Sequence, residues 1–333
     1  MIEKDLHYLS SDRKTKIHFH EWLPEGHPKA VVQISHGITE HIGRYGKLAD
    51  ALVEKGYAVA GNDHLGHGES EKPECYRWEY LVKDTRQLQE YLKQQYPTVP
   101  FYNIGFSLGS FVVRDLIARY PDSTDAVVLI GTGFQSSAQI SFAKAIASVE
   151  AKRVGDGNRS KLIQTLSFGI YNRYSREATS QVAVLARIFG DCREDPIPLG
   201  VLDFRPNKTE FDWLCESTDG INDYMGDEVC GKYMPAGLFR ELLRGMLVTG
   251  GRENIGKISR ELPILFLSGE NDPVGEMGKG VERLMNAYKA AEINDVSLNF
   301  YPGRHDILHE ACQEQVIGDV VEWLEGLYWQ EYL

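Results

Sequence analysis

The chain has few cysteines, and none of them forms a closely spaced pair. Its 333 residues include five cysteines, at Cys75, Cys192, Cys215, Cys230 and Cys312. An odd number of scattered cysteines without a C-x-x-C pair is typical of reduced thiols. We therefore expect a cytoplasmic protein, although a pairing of Cys230 with Cys215 or Cys192 stays open for an exported chain.

Long apolar runs and positive charge are also scarce. No stretch approaches the ~20 apolar residues of a membrane span, and no apolar signal-peptide core follows the first charges. Lys and Arg number 36 against 48 Asp and Glu, so the net charge is −12. Because nucleic-acid binding requires cations that neutralise phosphates, we expect no nucleic-acid partner. The lack of long apolar runs likewise predicts no transmembrane segment. With 42% hydrophobic and 25% charged residues, the chain has the balance of a globular protein.

Strand-like and helical segments alternate over residues 1–133. The strand-like runs are Leu6–Ser10, Thr15–Trp22, Ala30–Ser35, Tyr57–Gly61, Phe101–Phe106 and Ala126–Ile130. Helical patterns separate the later ones, at Tyr45–Lys55, Tyr80–Tyr96 and Phe111–Tyr120. Such alternation predicts a mostly parallel central sheet with helices on both faces.

Residues 134–261 interrupt this pattern with helical stretches alone. These stretches are Ser141–Val149, Lys161–Tyr174, Gln181–Phe189, Phe211–Cys215 and Leu238–Val248. Strand character resumes at Leu262–Leu267 and Val296–Tyr301, accompanied by helices at Val281–Ala291 and Glu314–Trp329. We therefore expect a core of residues 1–133 and 262–333, with a helical cap at 134–261 inserted after the sixth core strand.

Two apolar rows in this cap run along helical faces. They are Leu162, Leu166 and Ile170, and Leu238, Leu242 and Met246. One interpretation is that these rows pack the cap on the core. The other is that part of them lines an acyl-chain tunnel, and both can hold together.

One short motif carries most of the chemical information. Gly105-Phe106-Ser107-Leu108-Gly109 follows a strand and precedes a helix, which is the setting of a nucleophile elbow. A sharp turn there exposes the serine, and the two glycines let strand and helix approach each other. Ser107 is therefore the candidate nucleophile.

The base and the acid follow from the chain order Ser, acid, His that such elbows use. Only His305 and His309 come after the last strand, and we favour His305 because it lies on the turn just past that strand. The loop after Leu262–Leu267 offers Glu270 and Asp272. We favour Asp272, which Pro273 follows, with Glu270 as the alternative.

Attack of a serine on an acyl carbonyl forms a tetrahedral intermediate, and its negative oxygen needs hydrogen-bond donors. One expected donor is the backbone N–H of Leu108, directly after the nucleophile. The other comes from the loop after the third strand, where we expect the N–H of Ile38.

Several polar residues near the elbow are of types that bind metals, and a separate segment resembles a nucleotide-binding loop. These residues are His36, Glu40, His41, Arg44, Asp63, His64 and His67, and their spacing fits no standard zinc pattern. We expect them to fix loops by hydrogen bonds and ion pairs. Gly251–Ile258 has the Gly and Lys spacing of a P-loop, but Ile258 occupies the position where Ser or Thr must hold magnesium. We predict neither a metal nor a cofactor.

Five motifs together carry a family resemblance. They are SHGITEHIGRY (35–45), GNDHLGHGES (61–70), GFSLGS (105–110), SGENDPVG (268–275) and YPGRHDILHE (301–310). In this set and order the chain resembles α/β-hydrolases of the monoacylglycerol lipase and bacterial lysophospholipase group. Cap residues 211–246 are also similar to bacterial members. The resemblance implies a Ser107-Asp272-His305 triad with oxyanion donors at Ile38 and Leu108.

The resemblance implies an α/β-hydrolase fold and a serine carboxylic-ester hydrolase. The implied partner is a small lipid-like acyl ester, a monoacylglycerol or a lysophospholipid, and the oligomeric state stays undetermined. One departure is Ile38-Thr39, where relatives often carry small residues. A serine aminopeptidase-like amide hydrolase is the alternative, and a non-catalytic binding protein on the same fold is a weaker one.

Overall fold

A single mixed sheet forms the centre of the molecule. The computed structural model of the protein describes residues 1–166, 171, 209–231 and 234–332. The sheet strands, in chain order, are β1 Ile2–Leu9, β2 Lys16–Leu23, β3 Ala30–Ser35, β4 Tyr57–Asn62, β5 Phe101–Phe106, β6 Ala126–Ile130, β7 Ile264–Gly269 and β8 Val296–Tyr301. Their order across the sheet is β1-β2-β4-β3-β5-β6-β7-β8.

Parallel pairing brings the carboxyl ends of the central strands to one edge. β1 pairs antiparallel with β2, and β2 with β4, whereas every pair from β4 to β8 is parallel. β3, β5 and β6 are buried along their whole length, which explains their short, continuous apolar runs. The loops that leave this edge carry the candidate site residues.

Helices cover both faces of the sheet, as the alternating pattern predicts. The described helices are α1 Gly46–Glu54, α2 Trp78–Gln95, α3 Leu108–Arg119, α4 Ser137–Val154, α5 Lys161–Leu166, α6 Thr218–Gly226, α7 Ala236–Thr249, α8 Arg252–Ile255, α9 Lys279–Ala290 and α10 Gln313–Tyr332. Helices α1 and α10 share one apolar cluster with the sheet, whereas α2, α3 and α9 pack on its other face. The architecture is an α/β-hydrolase fold.

The described helices α4 to α8 lie between β6 and β7 in the chain, in the segment predicted to form the cap. Helix α4 contains the predicted stretch Ser141–Val149, and α7 contains Leu238–Val248. The prediction of a helix at Phe211–Cys215 is wrong, because residues 211–214 form hydrogen-bonded turns. The stretch Gln181–Phe189 lies outside the described residues. So does Lys161–Tyr174, apart from 161–166 and 171.

The two apolar rows lie in the segment predicted to form the cap, and burial is described for Leu162 of the first row and for the second row. In α7, Leu238 and Met246 are buried, and Leu242 packs against the same apolar cluster. Leu162 in α5 is 47% exposed, so the packing role does not extend to it. Ile170 lies outside the described residues.

The expectations about cysteine pairing and membrane spans can be compared with the structure over the described residues. There Cys75, Cys215, Cys230 and Cys312 are free thiols, so Cys230 and Cys215 do not pair with each other. Cys192 lies outside the described residues. Among the helices that the structure describes, none combines the length and the apolar character needed to cross a membrane.

Candidate active site

Ser107 lies at a sharp turn between β5 and α3. It is the residue before the helix, with φ +48° and ψ −115°, and its N–H donates to Ile130 O at 3.0 Å. A positive φ in a residue with a Cβ costs ~1–3 kcal/mol and persists only where the surroundings enforce it. The backbone thus holds the Ser107 hydroxyl at the carboxyl edge of the sheet.

The two glycines of the motif make this turn sterically possible. A Cβ on Gly109 would lie 1.9 Å from the Ser35 carbonyl oxygen of β3. A Cβ on Gly105 would lie 2.6 Å from Gly109 O. Both contacts are with backbone atoms, which cannot move aside as a flexible side chain could. The G-x-S-x-G spacing is therefore a packing requirement of the crossing between strand and helix.

His305 links Ser107 to Asp272. Its Nε2 lies 2.8 Å from Ser107 Oγ, and its Nδ1 lies 2.9 Å from Asp272 Oδ1. All three side chains are buried, with Ser107 the most accessible at 8%. The structure thus brings together the three residues that the sequence analysis selects, in the order hydroxyl, imidazole, carboxylate. This arrangement can move a proton from the hydroxyl to the imidazole.

Glu270 and His309, the alternatives to Asp272 and His305, have other surroundings. Glu270 is exposed, whereas the Asp272 carboxylate is buried and also accepts the N–H of Val274 at 2.8 Å. His309 Nδ1 lies 2.9 Å from both carboxylate oxygens of Asp306. His309 therefore fixes the loop, while His305 faces the Ser107 hydroxyl.

Aromatic rings enclose the His305 imidazole on two sides. The Phe106 ring centroid is 5.0 Å from it, and the Trp213 centroid is 5.2 Å away with an interplanar angle of 31°. Trp213 belongs to the turns between β6 and β7, and the sequence analysis did not select it. The local apolar sequence FDWLC indicates that this segment is buried. It does not indicate a contact with His305, which lies almost one hundred residues later in the chain.

The expected oxyanion donors are backbone groups in two separate elements. Leu108 is the first residue of α3, so its N–H has no acceptor within the helix. Ile38 lies in the loop after β3, where Glu40 Oε1 accepts the N–H of Gly37 at 2.5 Å. Thr39, the next residue, has φ +58°. The glycine at 37 is also required sterically, because a Cβ there would lie 2.8 Å from the Phe106 ring.

A buried ionic network stabilises the loop that carries Ile38. Arg44 Nε lies 3.1 Å from a Glu40 carboxylate oxygen, and its NH2 donates to Asp306 at 2.8 Å. Burial alone would raise the pKa of Asp306, but His309 and Arg44 outweigh it and hold that pKa below its ordinary value. Because Asp306 directly follows His305, the network connects both sides of the site.

Three buried histidines support the same loop in their neutral form. His36 Nε2 accepts the N–H of His64 at 2.9 Å, so that nitrogen carries no proton. His67 lies beside them, with ring centroids 5.3 Å from His36. Burial lowers the pKa of all three, that of His64 to about 3. These imidazoles fix loops by hydrogen bonds, the role the sequence analysis expected.

Among the described residues, two groups bring three metal-ligating side chains within 4.8 Å. They are Asp5, His18 and His20, and His41, Asp227 and Cys230. In the first group both imidazoles lie against Asp5 Oδ1, at 3.0 and 2.7 Å. Burial opposes a charge on His18, but Asp63 and Asp5 raise its pKa to about 9. In the second, His41 Nε2 lies 2.9 Å from Asp227. The Cys230 thiol lies 4.0 Å from Arg44 NH1, and its backbone N–H donates to Asp227. Hydrogen bonds within the protein therefore account for both arrangements.

Fold and site together define an α/β-hydrolase with a serine at the nucleophile elbow. The chain belongs to the Hydrolase_4 family, described as serine aminopeptidase, S33, whose model matches residues 26–312.

Individual relatives cover nearly the whole chain. It is 26% identical over 319 residues to the monoacylglycerol lipase of Mycolicibacterium smegmatis, which covers 93% of this chain and 92% of that protein. It is also 26% identical to the monoglyceride lipase of Rattus norvegicus, over 91% of this chain and 84% of that protein. A carboxyl esterase structure from Bacillus coagulans superposes with a TM-score of 0.78 at 22% identity, covering 98% and 99% of the two chains. The chain is a carboxylic-ester hydrolase.

Proposed function

We propose that the chain hydrolyses lipid-like acyl esters, monoacylglycerols or lysophospholipids, through a triad of Ser107, His305 and Asp272. The observation that carries the proposal is the position of His305 within hydrogen-bond distance of both partners, at 2.8 and 2.9 Å. A nucleophilic serine requires an adjacent base, and that base requires an orienting group.

The proposed reaction proceeds through an acyl-enzyme. Ser107 Oγ attacks the ester carbonyl carbon while His305 Nε2 takes the hydroxyl proton. Asp272 holds the imidazole tautomer and stabilises the imidazolium, without taking the proton itself. His305 then protonates the leaving alcohol and later deprotonates the water that releases the acid. The N–H groups of Ile38 and Leu108 stabilise the oxyanion, each worth ~3 kcal/mol.

The apolar surroundings of the elbow support an acyl substituent. Leu108 and Val274 belong to one buried cluster with Trp213 and Leu238 from the segment between β6 and β7, and Ile38 packs against it. An apolar acyl chain bound beside these residues would gain from burial. The two lipases that align over most of the chain, from Mycolicibacterium smegmatis and Rattus norvegicus, support the same substrate class.

The family description also suggests an aminopeptidase, for which three buried carboxylates of the described residues are not available as a binding group. Cleavage of an amino-terminal residue would need an acidic group free to bind the substrate ammonium. Glu40 and Asp306 are both paired with Arg44. Glu310 accepts three backbone N–H groups, from Glu216, Ser217 and Arg304. These buried carboxylates are therefore committed to the fold.

A fluorophosphonate probe tests the proposed nucleophile. We expect the probe to label wild type and not Ser107→Ala, whose hydrolysis of p-nitrophenyl esters should fall at least ~10⁴-fold. Ser297→Ala is the matched control, because Ser297 is near the start of β8, at the opposite end of the parallel strands. Labelling of Ser107→Ala would contradict the assignment of the nucleophile. No labelling and no ester hydrolysis by wild type would contradict the proposal and favour a binding protein.

A substrate panel tests the proposed class. Monoacylglycerols of increasing chain length, lysophosphatidylcholine and aminoacyl-naphthylamides would be compared by kcat/KM. We expect one of the lipid esters to exceed every amide. A preference for the amides would overturn the lipase proposal in favour of the aminopeptidase.

A further inference from the structure

Thr39 holds an unfavourable backbone conformation beside an expected oxyanion donor. Its φ of +58° lies in the left-handed region, where a side chain branched at Cβ is especially disfavoured. Among the described non-glycine residues with positive φ, Thr39 is the one branched at Cβ. Because Thr39 directly follows Ile38, relaxation of its backbone would rotate the Ile38–Thr39 peptide group, and the Ile38 backbone with its N–H would shift in response. Something must therefore hold Thr39 in place.

The segment predicted to form the cap supplies that restraint. Tyr224, in α6, donates its hydroxyl to the Thr39 carbonyl at 3.1 Å and lies 2.8 Å from Thr39 Oγ1. The N–H of Gly231 donates to the same carbonyl at 2.9 Å. Tyr224 is 4% exposed, so these contacts are shielded from water. The strained residue of the oxyanion loop is thus held by groups 185 or more residues later in the chain.

Tyr224 also contacts the other side of this loop. The Arg44 guanidinium lies 4.9 Å from the centroid of the Tyr224 ring. Arg44 pairs with Glu40, and Glu40 accepts the N–H of Gly37. The hydroxyl of Tyr224 therefore acts on the residue after Ile38, while its ring packs on the network that holds the residue before Ile38.

We propose that Tyr224 is a positioning residue through which the cap sets the geometry of the oxyanion loop. Its hydroxyl keeps Thr39 in the left-handed conformation, and this keeps the Ile38 N–H directed at the oxyanion. While α6 contacts the loop, the Ile38 N–H keeps this direction. Catalysis is therefore coupled to the contact between the cap and the loop. The inference rests on the proposed function, since it assigns Ile38 the oxyanion role.

The first test removes only the Tyr224 hydroxyl. In Tyr224→Phe the ring still packs on Arg44, so the fold should be kept, as a thermal melt would check. We expect kcat on a short p-nitrophenyl ester to fall ~10-fold or more, toward the ~10²–10³-fold loss of a whole oxyanion donor. KM should change less than about twofold, since the ground-state carbonyl depends less on this donor. The rate of fluorophosphonate labelling should fall in parallel.

Rescue at Thr39 separates positioning from general stabilisation. Glycine adopts a positive φ without strain, so Thr39→Gly should restore most of the kcat lost in Tyr224→Phe. Thr39→Ala keeps the Cβ and should not restore it. Tyr57→Phe is the matched control, because its hydroxyl binds Glu325 and Tyr57 opens β4 at the other end of the sheet.

Two outcomes would overturn the inference. One is a Tyr224→Phe variant with wild-type kcat and labelling rate. The other is a kcat loss that Thr39→Gly and Thr39→Ala restore equally or not at all. Failure of the proposed function is recognised separately, because either wild type would then neither label nor hydrolyse esters, or Ser107→Ala would still do both.

Discussion

At the residue scale, the orientation of His305 depends on a single carboxylate oxygen. Asp272 Oδ1 lies 2.9 Å from His305 Nδ1 and also accepts the N–H of Val274. The backbone contact fixes which oxygen faces the imidazole. With Nδ1 donating to this oxygen, Nε2 keeps its lone pair for the proton of Ser107.

Asp272→Asn should therefore abolish most of the activity while keeping the shape of the site. An amide that donates toward Nδ1 favours the wrong imidazole tautomer, for which a loss of ~10⁴-fold in kcat is expected. The measurement is kcat on a p-nitrophenyl ester, with circular dichroism to check the fold. Glu270→Gln, two residues earlier on the same loop, is the control and should stay within about twofold of wild type. A strong loss in Glu270→Gln with an active Asp272→Asn would reverse the assignment.

Local spacing and chain order select Ser107, Asp272 and His305, because each follows a strand whose end is readable from its sequence. Trp213 and Tyr224 could not be selected in this way. Trp213 contacts His305 and Tyr224 contacts Thr39, and both partners are distant in the chain. No periodic pattern in one segment indicates such a contact, since it arises only when the segment between β6 and β7 packs on the core.

At the scale of elements, α7 packs closely on the start of α2. Glu241 in α7 accepts the N–H of Trp78, and the Trp78 indole donates to Asp115 in α3 at 2.6 Å. Gly245 lies one turn further along α7, where an added Cβ would be 2.4 Å from the Trp78 ring. A large, fully buried ring between three hydrogen-bonded helices has little room to move. The glycine therefore permits the close approach of α7.

Gly245→Ala should destabilise the protein despite the better helix propensity of alanine. The steric conflict with Trp78 is expected to lower the free energy of unfolding by ~1–3 kcal/mol. Gly318→Ala, inside α10 with nothing near the added Cβ, is the matched control and should raise it by ~0.5–1 kcal/mol. Urea unfolding of both variants measures the two changes. Equal stabilisation by both alanines would show that α7 can move away from α2.

The elements predicted best from sequence are the buried central strands. The predicted strands Ala30–Ser35, Phe101–Phe106 and Ala126–Ile130 agree with β3, β5 and β6 to the residue, because a fully buried strand is a short apolar run with clear ends. The predicted helix at Phe211–Cys215 failed for the opposite reason. Its apolar residues are required by separate tertiary partners, such as the Tyr224 ring that faces Phe211 at 5.2 Å.

At the scale of the whole molecule, buried neutral imidazoles link folding to pH. His36, His64 and His67 lie under the loop that carries Ile38, and burial lowers the pKa of each, that of His64 to about 3. In the unfolded chain the same groups take up protons near pH 6.5. Below that pH these three groups bind more protons in the unfolded state than in the folded state, so their contribution to stability falls as the pH falls.

His18 acts in the opposite sense, since its pKa of about 9 keeps it protonated in the folded state, but well below about pH 6.5 the unfolded chain protonates this group as well. We therefore expect the free energy of unfolding to decrease between about pH 6.5 and pH 5, before most carboxylates titrate. Each neutral histidine contributes up to about 1.4 kcal/mol per pH unit in this window. His64→Gln removes one such group, so its slope against pH should be shallower than that of wild type, whatever its absolute stability. His27→Gln, at an exposed position, should leave the slope unchanged. Urea unfolding at several pH values measures all three slopes. A wild-type stability that is flat from about pH 6.5 to pH 5 would mean that the folded protein takes up these protons too, and that the histidines near the loop that carries Ile38 do not stay neutral.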